Sequence, residues 1–181
     1  MGAAQQALLM ASAAAKVLAF ETSASDSTNA TTYTFSAQDI GVAASDRRVI
    51  VAPDGGGSLS SISSATIGGV SADISVQAQA GGAVSGLLIA LVTTGVTADI
   101  VVTFADSRLQ AAIGVWSCTG LTSNTPVATG SSTNDPTTAT LTTVAGGFCA
   151  QHLPSSICCG SLCSAIELIG HRCKCGSRAS V

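Results

Sequence analysis

Charge is scarce in this chain of 181 residues: only 9% are Asp, Glu, Lys or Arg, where a soluble domain ordinarily carries roughly a quarter. Seven basic against ten acidic side chains leave a net charge of −3. A phosphate backbone is attracted by a basic field that this chain does not have, so no nucleic-acid partner is expected. Aromatic residues make up 3%, which limits both the core anchors and the flat platforms on which sugars stack. Long apolar runs are missing as well. The stretch from Gly86 to Val92 falls far short of the roughly 20 residues of a membrane-spanning helix, and no membrane partner is expected.

What the sequence does have is Ser and Thr, together about a quarter of the chain. Hydroxyls solvate a surface without charge, and Thr and Val favour a pleated backbone because branching at Cβ restricts χ1. The hydrophobic fraction of 46% and mean hydropathy of +0.51 come mostly from Ala and Val. This is the composition of an all-β, extracellular or particle-bound protein. The length allows one domain with a full core plus appendages.

Three zones follow one another. Residues 1–16 are Ala-rich, with Gln5, Gln6, Leu8, Leu9 and Met10 and no helix breaker after Gly2; they read as a short helix that docks on a neighbour. No Lys or Arg precedes the apolar run Ala7 to Ala15, so it lacks the basic start of a secretory signal. Gln6 stands where N-myristoylation needs Ser or Thr.

Residues 17–147 read as successive strands. The expected strands are Val17 to Glu21, Thr32 to Phe35, Arg48 to Ala52, Ala65 to Ile67, Val70 to Ile74, Leu87 to Thr93, Ile100 to Phe104, Ala112 to Ser117 and Ala139 to Thr143. Gly68-Gly69 supplies the positive φ angles of a tight hairpin between Thr66-Ile67 and Val70-Ser71. Nine strands at this spacing predict an antiparallel β-sandwich or jelly roll. Leu87 to Val92 is apolar on both faces and reads as a central strand covered on both sides. Tyr33, Phe35, Phe104 and Trp116 are expected to anchor the core. Asp46-Arg47-Arg48, before Val49-Ile50-Val51, reads as a charged strand start that protects an edge, and Gly55-Gly56-Gly57 as a flexible loop without the pattern of a phosphate-binding turn.

Residues 148–181 form an irregular Cys-rich tail. They hold Cys149, Cys158, Cys159, Cys163, Cys173 and Cys175, six of the seven cysteines, and both His152 and His171. Net charge changes from −5 over residues 1–147 to +2 here. Cys158, Cys159, Cys163, Cys173 and Cys175 are candidates for disulfides or for a zinc site, but adjacent cysteines and Cys-x-Cys do not make the paired knuckles of structural zinc. Unpaired cysteines are the leading reading, and no metal or cofactor is expected. Cys149 with His152, or Cys173 with His171, could form a nucleophilic dyad only with an orienting third group and an oxyanion hole that the sequence does not indicate. Asp39, Asp46 and Asp54 fall near strand ends, where Asp supports turns; a calcium site built from them would lack EF-hand spacing. Asn29-Ala30-Thr31 matches a glycosylation sequon.

Tyr33-Thr34-Phe35, the run Gly41 to Val51 with Asp46-Arg47-Arg48, the hairpin Thr66 to Val70, Asp99 to Phe104 and Ala112 to Trp116 together resemble a group of uncharacterised phage and prophage virion β-sandwich proteins, of decoration, spike or tail-associated type. The resemblance spans residues 20 to 148 and implies a structural subunit rather than an enzyme. Its partners would be other virion proteins and further copies of itself in a homo-oligomer, and its place an extracellular particle assembled in the host cytoplasm. Members of that group continue after residue 148 with Thr/Ala-rich strands, so the Cys-rich tail reads as a frame-shifted or recombined replacement. A host-surface or glycan-binding module is the alternative function, and a zinc- or cysteine-dependent protein the third.

Overall fold

The computed structural model describes residues 16–57, 60–126, 128–131, 148–152 and 155–159. Twelve strands run through these residues in the order β1 (Val17–Asp26), β2 (Ala30–Asp39), β3 (Arg48–Gly56), β4 (Ile62–Ile67), β5 (Val70–Ser71), β6 (Asp73–Ala80), β7 (Ala83–Leu91), β8 (Thr97–Arg108), β9 (Gln110–Thr119), β10 (Ala128–Ser131), β11 (Phe148–His152) and β12 (Ser155–Cys159). The protein is mainly β, its sheets are antiparallel, and no helix occurs among the described residues. Residues 1–15 of the expected Ala-rich helix at 1–16, and the strand Ala139 to Thr143, lie outside them.

Two sheets face each other in a sandwich-like arrangement, one ordered β1-β9-β3-β7-β6 and the other β2-β8-β4-β5. Period-two alternation sends Val49 and Val51 of β3, Leu88 and Ala90 of β7, and Ile113 and Val115 of β9 inward. They meet Tyr33, Phe35, Ile62, Ile67, Ile100, Val102 and Phe104 from the opposite sheet in one buried cluster. Each such side chain, moved out of water, contributes about 1.5–3 kcal/mol. Tyr33 stacks on Phe35 and meets Phe104 edge-on.

Residues 87–90 of the run Leu87 to Val92 are covered on both sides as its pattern implies, while Leu91 is exposed; the outward residues of the five-stranded sheet form a second buried cluster. Ile50, Ala52, Leu87, Ile89, Trp116, Cys118 and Leu121 belong to it. Trp116 is thus buried as expected, in the cluster on the outer face rather than with Tyr33, Phe35 and Phe104, and Phe20 meets it edge-on at 5.4 Å. A third sheet, ordered β10-β12-β11, lies against β6 and β7. Part of the tail is thus paired strand, and its pairing joins residues on both sides of the composition change at 147. Residues 160–181 lie outside the described residues.

Three further differences have local causes. The expected strand Val70 to Ile74 divides at buried Ala72, where the chain passes from one sheet to the other: Ala72 N–H donates to Ala65 O at 3.0 Å, and β6 then pairs with β7. Gly55 and Gly56 are no loop but the end of β3, paired on both sides. A Cβ on Gly55 would stand 2.9 Å from the Phe104 ring, so the glycine is required by close packing rather than by flexibility. Finally, β3 lies between β9 and β7, so Asp46-Arg47-Arg48 guards no edge.

Candidate functional site

The seven basic residues of the chain include only four in residues 16–126, namely Lys16, Arg47, Arg48 and Arg108. The three arginines are buried, with Arg47 and Arg108 at 0% exposure. All eight carboxylates of the same segment (Glu21, Asp26, Asp39, Asp46, Asp54, Asp73, Asp99 and Asp106) are at least partly exposed. Within residues 16–126 the arginines lie inside the fold, and the exposed charge is acidic apart from Lys16.

Each buried arginine serves loops at one end of the sandwich. At the end where β1 begins, Arg47 follows the turn closed by its own N–H on Ala44 O. Its Nε donates to Val92 O at 2.8 Å, Nη1 to Gly41 O at 2.5 Å and Gly95 O at 2.9 Å, and Nη2 to Thr94 O at 2.7 Å. Four of the five guanidinium N–H groups thus bind carbonyls of two loops, 40–47 and 92–96, and Ile40 N–H donates across to Val96 O at 2.9 Å. Burial lowers the Arg47 pKa from its ordinary value, an effect offset in part by the Glu21 carboxylate.

The neighbours of Arg47 extend the same construction. Arg48 donates to Leu121 O and to Asn124 Oδ1, and Asn124 in turn donates to Asp73. Asp46 accepts from Gly120 N–H at 2.7 Å. Asp39 closes a turn on Gly41 N–H, Asp99 accepts from Ala37 N–H, and Glu21 accepts from the Ser117 hydroxyl. Gly41, at φ 76°, has Glu21 and Ser117 against the place of a Cβ.

With its charges bonded internally, this end turns apolar side chains outward. Val42 is 83% exposed, Val96 59% and Val17 56%, and Val70 and Leu91 are exposed too. Phe20, 56% exposed, stands beside them on β1. Leu109 alone among the exposed large hydrophobics of the described residues belongs to the opposite end.

That opposite end is polar at its rim. Arg108 donates to Gly55 O at 3.0 Å and Gly82 O at 3.4 Å, with its guanidinium 5.7 Å from the centre of the Phe104 ring. The Tyr33 hydroxyl lies within hydrogen-bond distance of Arg108 O and Thr28 O. Beside them opens a cavity of about 210 Å³ lined by Ser25, Asp26, Ser27, Asp54, Gln110 and two alanines. Its two carboxylates are already engaged: Asp26 accepts from the Thr28 N–H and hydroxyl, Asp54 from the Ser85 hydroxyl. The two bonds from Thr28 lower the Asp26 pKa from its ordinary value.

The residues singled out for chemistry are not gathered into one place. Asp39 and Asp46 belong to the first end and Asp54 to the second. Cys149 pairs in register with Cys158, next to Cys159, while His152 lies three positions along β11 opposite Ser155; three positions are roughly 10 Å of strand. Cys163, Cys173, Cys175 and His171 lie outside the described residues. Among the described residues no group of three or more His, Cys, Asp or Glu is placed to hold a metal, and no helix is long and apolar enough to cross a membrane. The arginine clamps themselves were missed by the sequence reading, although three arginines, each beside a strand end, in an otherwise cation-poor chain were the available signal. No family model, curated protein or solved structure matches this chain.

Proposed function

We propose that the protein is a structural subunit of a phage-like particle, a decoration, spike or tail-associated protein that acts by assembly with other virion proteins and with copies of itself. The observation that carries this reading is the strand order. With β6 left out, β1-β9-β3-β7 faces β2-β8-β4-β5, which supports a jelly roll, an architecture shared by viral capsid and lectin domains. The motifs behind the resemblance to virion proteins have architectural positions: Tyr33 and Phe35 in the core, Asp46-Arg47-Arg48 as the loop clamp, Thr66 to Val70 as a hairpin. Rigid loops, buried arginines and an apolar end suit a subunit that packs against neighbours.

In this mechanism the end carrying Val17 and the Ala-rich segment faces the particle, and the acidic, hydroxyl-rich remainder projects. Counting copies of the chain by quantitative mass spectrometry in purified particles tests it: a fixed multiple per particle is expected, and absence from particles would refute it. The glycan-binding reading shares the lectin-like architecture but has less behind it, because Trp116 and Tyr33 are both buried. A glycan array with specific, saturable signal would favour it over assembly.

A further inference from the structure

The third sheet sets two cysteines in register. Strands β11 and β12 run antiparallel, and Cys149 stands directly opposite Cys158, between the pairs Phe148 with Cys159 and Ala150 with Ile157. Directly opposite residues of an antiparallel pair lie on the same face of the sheet, with Cα atoms about 4.5–5.5 Å apart. A disulfide needs a Cα separation of roughly 4.4–6.8 Å, and the register alone meets that requirement. No other two cysteines among the described residues are placed this way. Cys159 follows Cys158 on the same strand, so the two lie on opposite faces, and its partner position is Phe148. Cys118 is fully buried on β9, in a different sheet. On the other side of Cys158 the same row holds Ala128 of β10, which brings no competing thiol.

We infer that Cys149 and Cys158 form a cross-strand disulfide that staples β11 to β12. The step takes its oxidising equivalents from a small disulfide such as oxidised glutathione. One cysteine thiolate attacks a sulfur of the oxidant, which gives a mixed disulfide and releases one glutathione thiolate. The other cysteine, once deprotonated, attacks the protein sulfur of that mixed disulfide; the bond between Cys149 and Cys158 forms and the second glutathione leaves. Two protein thiols thus lose two protons and two electrons, and the oxidant becomes two glutathione thiols. Strand pairing keeps the two positions together, so closure within the hairpin outruns capture of another thiol from solution. The link matters to the fold because β12 is the middle strand of a sheet that lies against β6 and β7. Closing the short loop from 149 to 158 restricts the unfolded hairpin and so favours its paired form. The inference concerns the free chain and does not depend on the virion reading.

The test uses the full chain, reduced and then equilibrated in glutathione buffers of rising oxidised-to-reduced ratio. Remaining thiols are blocked with iodoacetamide, and peptic fragments are mapped by mass spectrometry. The first disulfide to form should join Cys149 to Cys158, at a ratio about tenfold lower in native buffer than in concentrated urea, where the register is lost. Cys159→Ser should keep the bond, whereas Cys149→Ser and Cys158→Ser should each abolish it. Oxidation should also slow deuterium exchange at the amides of residues 155–159 about tenfold. A first bond from Cys149 to Cys159, Cys163, Cys173 or Cys175, or a bond between two copies of the chain, would overturn the inference. So would equal formation in native buffer and urea, or exchange rates that oxidation leaves unchanged.

Discussion

The two ends of the sandwich solve the same problem with different rims. Both use a buried arginine whose N–H groups donate to backbone carbonyls, Arg47 at one end and Arg108 at the other. Around Arg47 the carboxylates accept hydrogen bonds from backbone or side chains and valines point out. Around Arg108 the rim is Ser25, Asp26, Ser27 and Gln110 over a small cavity. A buried cation therefore tells how loops are fixed and not what the end is for. The outward side chains make that distinction, mostly valines at the first end and Ser, Asp and Gln at the second.

The comparison breaks most visibly at the arginines. Arg47→Met removes four bonds to carbonyls and should lower stability by about 3 kcal/mol or more, since hydrogen bonds to charged groups contribute roughly 1.5–3 kcal/mol each and the freed loops rehydrate in part. Arg108→Met removes the bonds to Gly55 O and Gly82 O and should cost about 2 kcal/mol or more. Urea unfolding followed by fluorescence of Trp116 measures both, and a larger loss for Arg108→Met would reverse the ranking of the ends.

Gly55→Ala probes the second end from inside. Its Cβ would press on the Phe104 ring at 2.9 Å, and overpacking of this kind costs about 1–3 kcal/mol. A neutral result would show that Phe104 and Arg108 can shift together, and hence that this end is the looser of the two. Tyr33→Phe is a milder change at the same place. It removes the hydroxyl shared between Thr28 O and Arg108 O and should cost about 1 kcal/mol in the same unfolding assay.

Much of the β architecture could be read directly: the hairpin at Gly68-Gly69 and the doubly covered run in β7 follow from positive φ and from unbroken apolarity. What misled was charge. Asp46-Arg47-Arg48 looked like a solvated strand start because arginine is rarely buried without a carboxylate, and nothing local reveals that Gly41, Val92, Thr94 and Gly95 will converge on it from segments 6 to 48 residues away. That Trp116 is buried was legible, but not which cluster it joins. Alternation says that Val115 and Trp116 face opposite ways, but not that the outer face has a cluster of its own.

The smallest expected effect is a titration at the polar end. Asp26 accepts two hydrogen bonds from Thr28 that favour its ionised form. With the folded pKa depressed, its contribution is present above the unfolded value, about 3.9, and is lost as pH falls through the folded value. The Thr28 amide shift, followed by NMR, should therefore titrate with a midpoint below about 3.9, and Asp26→Asn should abolish that step. A midpoint at or above the ordinary value would mean that this turn opens in solution.

Assembly through the Val17 end is the central claim, and copy counting in purified particles tests it most directly. The wild-type chain and Leu109→Asp should be incorporated at the same fixed number per particle, while the chain lacking residues 1–15 should be lost from particles though folded. Equal incorporation of the shortened chain, or a wild-type chain absent from particles, would contradict the account.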